Sequence, residues 1–211
     1  MLTVEVTADT HGRHRDLKIK GADIFIHCGD ISRYGEVEAF MDFNKWLEEL
    51  PHTIKLYTAG NHDRRRASLI QKMVSNGIFL NGSGFEWEGK TFWGSPQTPS
   101  VWDRKEDFCY IRADEEDGRR IWSKMPKNLD VLITHGPPYG ILDFVPKRLD
   151  NAGDLFLLDR ILEAKPKTHI FGHIHEDGGK MIKQRYGIRF INCSALDGDY
   201  SMVNQPRVIT I

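Results

Sequence analysis

Ile54-Lys55-Leu56-Tyr57-Thr58-Ala59-Gly60-Asn61-His62-Asp63 is the stretch from which the fold can be read. A short run of strand-forming residues stops at a tight polar turn, and a helical pattern opens near Arg65. A strand that ends in this way presents its last side chains at the carboxyl edge of a sheet, where open α/β folds place their ligands. Asn61 offers a neutral amide oxygen, and His62 offers an imidazole that exchanges a proton near neutral pH. Four residues alone are weak evidence. The same kind of ending recurs at other strands, and that repetition carries the reading.

Upstream, Leu2 to Ala8 alternates as a strand and ends in Asp9-Thr10-His11-Gly12. Asp23 to Cys28 is a near-continuous apolar run of the type found in sheets buried on both faces, and it ends in Gly29-Asp30. From Gly35 to Leu50 the pattern is helical, with Phe40, Phe43, Leu47 and Leu50 at three- and four-residue steps and Pro51 as a stop. Downstream, Ala67 to Val74 carries a shorter helical pattern through Leu69, Ile70, Met73 and Val74. Ile78 to Leu80, Phe85 to Trp87 and Thr91 to Trp93 read as strands.

Gly118 to Lys124 reads as the end of a helix. Val131 to Thr134 is a strand that ends in His135-Gly136-Pro137-Pro138. A helix from Asp154 to Ala164 shows Leu155, Leu158, Ile161 and Leu162 as its apolar face. Thr168 to Phe171 ends in Gly172-His173-Ile174-His175. Three further strands, Met181 to Gln184, Ile188 to Asn192 and Val208 to Ile211, complete the chain. The segments 95–117 and 136–153 are long connections without a clean period. This order predicts one domain over residues 1–211 of the α/β class, with two packed mixed sheets flanked by helices instead of a single doubly wound sheet.

The chain has 211 residues, enough for one sizeable core. Its formal net charge of -1 provides no global field towards nucleic acid or an anionic membrane. Cys28, Cys109 and Cys193 are odd in number and widely spaced, which reads as reduced thiols. The first residues run straight into a strand, and no apolar run is long enough for a membrane span. The expected location is cytoplasmic.

Five predicted strands end in residues able to bind metal: Asp9 and His11, Asp30, Asn61, His135, then His173 and His175. Strands of a common sheet bring their ends together, so seven side chains can converge. The set mixes carboxylate, amide oxygen and imidazole without a thiolate pair, which suits borderline divalent ions over a structural zinc site. Seven donors exceed the needs of one tetrahedral ion and, with one carboxylate shared, suffice for two. Two ions about 3.5–4 Å apart clamp the attacking and leaving oxygens of an in-line displacement at phosphorus.

The series Asp9-x-His11, Gly29-Asp30, Gly60-Asn61-His62-Asp63, His135 and Gly172-His173-x-His175 resembles the calcineurin-like metallophosphoesterases in full motif order, and its details look closest to their small MPPED-type branch. The resemblance implies a four-layer αββα fold and a metal-dependent phosphoric ester hydrolase. It implies two divalent ions, Mn²⁺ first and Fe, Ni, Co or Zn as alternatives. Asp9, His11 and His175 would hold one ion and Asn61, His135 and His173 the other, with Asp30 bridging. A bridging hydroxide would attack phosphorus, while His62 assists the leaving group and Asp63 orients or supports His62. The implied substrate is a small phosphodiester or phosphomonoester, with cyclic nucleotides the first guess. Thr134 stands where many relatives have Gly. His173 is present where some members of the branch have Gly, which favours a complete site.

Other readings stay open at this point. A non-catalytic metal-binding scaffold on the same fold is one, and a nuclease is another, although the near-neutral charge argues against long nucleic acid. Arg64-Arg65-Arg66 reads either as a solvated helix face or as an attractor for phosphate. Trp102, Phe108, Tyr139 and Phe144 either pack the long loops or stack on a base. Cys28 reads as a small buried hydrophobe. His14, His27, His52 and His169, which lack such neighbours, read as surface or satisfied core imidazoles.

Overall fold

The computed structural model describes residues 1–99, 110–111 and 115–211. In the first sheet β1 (Thr3–Thr7), β2 (Ile24–Cys28), β3 (Ile54–Thr58) and β4 (Ile78–Phe79) run parallel. The antiparallel β15 (Arg207–Thr210) closes the edge beside β1. The second sheet contains β5 (Ser83–Trp87), β6 (Lys90–Ser95), β9 (Val131–Thr134), β12 (Thr168–Phe171), β13 (Met181–Arg185) and β14 (Ile188–Asn192). Its order is β13-β14-β12-β9-β6-β5, with a parallel centre and an antiparallel strand at each edge. Two short pairings lie outside these sheets: β7 (Thr98–Pro99) with β8 (Tyr110–Ile111), and β10 (Phe144–Val145) with β11 (Asp150–Asn151).

Strand alternation sorts the apolar residues into three layers. In β2, Ile24, Ile26 and Cys28 join Val4, Val6 and Leu56 against Val131, Ile133, Ile170 and Ile191 of the second sheet. That is the core between the sheets. Phe25 and Tyr57 point the other way, onto α1 (Val37–Glu49) and α2 (Ala67–Met73) through Phe40, Phe43, Trp46, Leu47 and Ile70. Leu132, Phe171 and Phe190 do the same for the second sheet, against α3 (Glu115–Trp122) and α4 (Leu155–Ala164). Helix, sheet, sheet, helix is the layer order expected from the sequence. Each fully buried Ile, Leu or Phe contributes about 1.5–3 kcal/mol to holding the layers together.

Two local readings need correction. On α4, Leu155 is 55% and Leu162 39% exposed, and the buried face is Leu157, Ile161 and Ala164. The helix starts with four apolar residues in a row, so its pattern fits more than one face. Its phase is set by Asp154, whose Oδ1 caps the amides of Phe156 and Leu157 at 2.8 and 3.1 Å while Oδ2 accepts from Trp122 Nε1 at 2.7 Å. On α1, Trp46 also belongs to the buried face. Of the loop aromatics, Tyr139 and Phe144 are exposed, whereas Trp102, Phe108 and most of the 95–117 connection lie outside the described residues, as does Cys109. Cys28 and Cys193 are free and buried.

The four histidines without motif neighbours are core residues. Each places Nε2 on one partner: His14 on Asp42 at 2.9 Å, His27 on Thr10 at 3.0 Å, His52 on Glu5 at 2.9 Å and His169 on Thr134 at 2.7 Å. Burial pushes His27 and His169 down to about 3. The unfolded chain therefore binds these protons below about pH 6.5 while the folded chain refuses them, so stability falls with acidification. The unfolding free energy from urea titrations should drop steadily from pH 6.5 to pH 4.5, by up to about 1.4 kcal/mol per pH unit for each of the two groups. A flat profile over that range would contradict the neutral, buried assignment.

Candidate metal centre

The loops leaving the carboxyl ends of the parallel strands meet along a backbone seam. Ala8, just past β1, donates to Cys193 O at 3.0 Å and accepts from Ala195 N at 2.9 Å, which fastens the first sheet to the segment after β14. Asp9 N reaches Gly29 O at 3.0 Å, and Gly172 N reaches His135 O at 2.9 Å. The strand ends are thus held at backbone distance from one another. The turns that follow are tight enough to place Asp9, His11, Asp30 and His173 at φ values of 53°, 45°, 55° and 71°. Side chains with a Cβ reach this region at a cost of about 1 kcal/mol or more each, and such strain concentrates at functional sites.

The side chains converge accordingly. Asp9, His11 and His175 offer donor atoms within 4.8 Å of one another, as do His11, Asp30 and His62, and Asp9, Asp30 and His135. Asp30 Oδ2 lies 3.7 Å from His11 Nε2 and 3.5 Å from His135 Nε2, so one carboxylate oxygen faces both clusters. Asn61 Oδ1 is 2.9 Å from His135 Nε2, and the His173 ring is 4.9 Å from that of His135. Six of the seven expected donors meet through their donor atoms, the His173 ring lies beside that of His135, and His62 joins at the edge.

The imidazoles are aimed by backbone carbonyls. His135 Nδ1 donates to Cys28 O at 2.9 Å, His175 Nδ1 to Asp197 O at 2.9 Å and His62 Nδ1 to Arg33 O at 2.7 Å. With Nδ1 carrying the proton, Nε2 of each ring is left to face the centre, the arrangement found around metal-ligating histidines. Asp9 Oδ2 accepts from Ser194 Oγ at 2.5 Å and from His173 N at 2.9 Å, but Asp9 Oδ1 is buried without a hydrogen-bond partner.

The charges point the same way. Burial opposes a charge on His135, yet Asp30 and Asp9 outweigh it and hold the ring up at about 10. Burial would also raise Asp30, but His135 and His11 keep its carboxyl well below the ordinary range. Two buried carboxylates here require positive charge, and an imidazolium supplies it where a cation fits. An orphaned carboxylate oxygen, convergent imidazoles and a mixed N/O donor set suit a borderline divalent ion.

Asp63 takes a different place from the one the sequence suggests. Its oxygens accept from Gly60 N, Ile31 N, Ser32 N and Ser32 Oγ at 2.8–3.2 Å, and the ring of His62 is held by the Arg33 carbonyl. Asp63 supports His62 only through the turn, by tying the Gly60 loop to the Asp30 loop. Sequence reading missed Ser194, the Arg33 and Asp197 carbonyls, and Tyr200, whose ring lies 5.1 Å from His11 and 5.2 Å from His175. The strand ending at Asn192 was the available signal for Ser194. A carbonyl leaves no trace in residue type.

Residues 2–177 match the family model described as calcineurin-like phosphoesterase. The chain belongs to that family. It is similar to the human protein named Metallophosphoesterase domain-containing protein 1, with 32% identity over 231 residues, covering 97% of this chain and 69% of the human one. The mouse protein of the same name matches to the same extent. A solved structure with 18% sequence identity superposes with a TM-score of 0.68, covering 90% of this chain and 89% of the other, which bears on the fold alone.

Two glycines leave room for the carboxylates. A Cβ on Gly60 would strike Asp30 Oδ1 and come within 2.6 Å of Asp30 N, and one on Gly172 would strike Asp9 Oδ2 and come within 2.5 Å of Ala8 Cβ. Gly198→Ala is a fair control, since its Cβ would make only ordinary contact with Glu176 from 3.5 Å. Gly60→Ala and Gly172→Ala should each lower the melting midpoint by about 5 °C or more and reduce metal content after reloading with Mn²⁺. Wild-type metal content and melting in both variants would show that the carboxylates are not confined as described.

Proposed function

We propose that this protein is a dinuclear-metal-dependent hydrolase of small phosphate esters, phosphodiesters above all, with cyclic nucleotides among the first candidates. The supporting observation is the shared position of Asp30, whose single oxygen faces the His11 cluster and the His135 cluster at nearly equal distance. In this reading Asp9, His11 and His175 hold one ion, and Asn61, His135 and His173 hold the other. Mn²⁺ is the first candidate for both, with Fe, Co, Ni or Zn as alternatives. Such ions, when bound, activate water and offset charge on phosphate oxygens.

The chain's own residues do the rest. His62 is fixed at one edge of the centre: its backbone N–H donates to Asp30 Oδ1 at 2.8 Å and its Nδ1 is pinned to Arg33 O. As an imidazolium it donates from Nε2 to the departing alkoxide, which is general acid catalysis. Asp63 holds the turn that presents it. Membership of the family and the convergent donors support a hydrolase over a scaffold. Among the described residues no helix is long and apolar enough to cross a membrane. With the two free buried thiols, we take the setting to be cytoplasmic.

The direct experiment strips the protein with chelator, reloads it with Mn²⁺, Ni²⁺ or Zn²⁺, and follows bis-p-nitrophenyl phosphate beside p-nitrophenyl phosphate. Metal should restore hydrolysis, the diester should be preferred, and His135→Ala should show neither activity nor full metal content. His62→Ala should retain metal but lose about 10²–10⁴-fold in turnover, most for poor leaving groups. Loss of metal from His62→Ala would overturn its role, and absence of hydrolysis with both ions bound would overturn the hydrolase reading.

A further inference from the structure

Beside the centre, four side chains are stacked in one continuous layer. The Tyr200 ring lies against His11 and His175. The Arg33 guanidinium lies 5.3 Å from the Tyr200 centroid and 5.5 Å from that of Tyr34. The Arg64 guanidinium lies 5.5 Å from the Tyr34 centroid, and Tyr34 in turn is 6.3 Å from His62. The series therefore runs from the imidazoles of the centre outwards to two cations.

Three features distinguish these cations from ordinary surface arginines. First, among the described residues neither guanidinium makes a hydrogen bond or an ion pair, whereas Arg15 binds Asp42 and Glu49 and Arg13 binds Asp16. Glu36, close in sequence to Arg33, is engaged with the backbone amides of Arg33 and Tyr34 at 3.1 and 2.8 Å. Second, both cations lie at cation–π distance from the one Tyr34 ring, which partly offsets their charge without satisfying their N–H groups. An anion that reaches their N–H edges supplies the partner that the rings do not. Third, Tyr200 adopts a left-handed φ of 61°, held by Tyr200 N on Asp197 O at 2.9 Å and Arg13 Nη1 on Tyr200 O at 3.2 Å. Strained backbone places this ring between the centre and Arg33.

A guanidinium stacked on an aromatic face keeps its N–H groups at its own edge, where they can grip phosphate oxygens in pairs. The Tyr34 ring already carries both guanidiniums, which leaves little room for a stacked base. We propose that Arg33 and Arg64, layered on Tyr34 and Tyr200, form a subsite for a second phosphate of the substrate, beyond the ester that reacts. This rests on the phosphoesterase reading above and narrows it to phosphate esters that carry a further phosphate on the same molecule. It also divides the Arg64-Arg65-Arg66 run: Arg64 belongs to the subsite, and Arg65 is occupied with the Gly35 carbonyl through Nε at 2.5 Å.

The test is calorimetric binding to Mn²⁺-loaded protein of two ligands that differ only in the added group, thymidine 5′-monophosphate and thymidine 3′,5′-bisphosphate. Wild type should bind the bisphosphate at least about tenfold more tightly, the scale of a charged hydrogen-bonded contact. Arg33→Ala/Arg64→Ala should bring the two affinities together. Arg66→Ala, which removes the same kind of charge from outside the stack, should keep the preference. All these side chains are exposed, and melting curves check that the variants fold. Equal affinities in wild type, a preference that survives the double variant, or an equal loss in Arg66→Ala would each overturn the subsite. Hydrolysis is scored separately, with the thymidine 5′-p-nitrophenyl phosphates that carry or lack the 3′-phosphate. A binding preference without hydrolysis of either ester would uphold the subsite and sink the phosphoesterase reading.

Discussion

The structure turns on how the buried carboxylate of Asp9 is satisfied. An isolated charge at 0% exposure is prohibitive, and even a half-satisfied one costs several kcal/mol. One oxygen is met by Ser194 Oγ and His173 N, both from the second sheet, although Asp9 itself leaves the first. The other oxygen has no hydrogen-bond partner, and His175 Nε2 stands off from it at 3.8 Å. The same residue therefore locks the two sheets at their common edge and leaves a demand for a cation there. Joining the sheets and building the site are one requirement, and the backbone seam through Ala8 is its framework.

That requirement explains where the chain accepts strain. Four of the converging residues sit in left-handed backbone without being glycine, and Tyr200 beside them does the same. Costs of this kind persist only where surrounding structure over-determines them. Here the surroundings are three apolar layers with almost every large side chain fully buried, and they hold the strand ends at fixed separation. Asp63 adds a local clamp. By binding amides of both the Asp30 and Gly60 loops, it makes two separate turns behave as one rigid piece. Burial and the nearby Asp30 charge raise its pKa to about 7, so the clamp is itself held at an electrostatic cost.

How much of this could be read beforehand follows from where the information resides. Asp9, Asp30, Asn61, His135, His173 and His175 were legible because each ends a short apolar run, and both the run and the turn are local. The layer order was legible for the same reason, since Phe25 and Tyr57 alternate with residues facing the opposite side. Three kinds of fact were not legible. The phase of α4 was hidden by four consecutive apolar residues and was decided by the Asp154 cap. The ring of His62 is held by a carbonyl, which every residue has, so the expected support from Asp63 comes through the turn and the ring's own partner left no trace in residue type. The Arg33–Tyr34–Tyr200 layer joins residues more than 160 positions apart, and no period or spacing connects them.

The distribution of donors between the sheets accounts for the architecture. Asp9, His11, Asp30, Asn61 and His62 leave the first sheet, and His135, His173 and His175 leave the second. Two of the three donor clusters, Asp9-His11-His175 and Asp9-Asp30-His135, draw on both. A cation held by either cluster is thus a cross-link between the sheets, and its binding free energy adds to the stability of their packing. The carboxylates all come from one sheet, whereas the second contributes only imidazoles. The anionic half of the centre and the cationic layer of Arg33 and Arg64 consequently rise from the same side of the seam, with His62 between them. In the function proposed above, a phosphate ester would reach the metal-competent cluster with its reacting end and the arginine layer with its far end, and His62 would stand beside the leaving group.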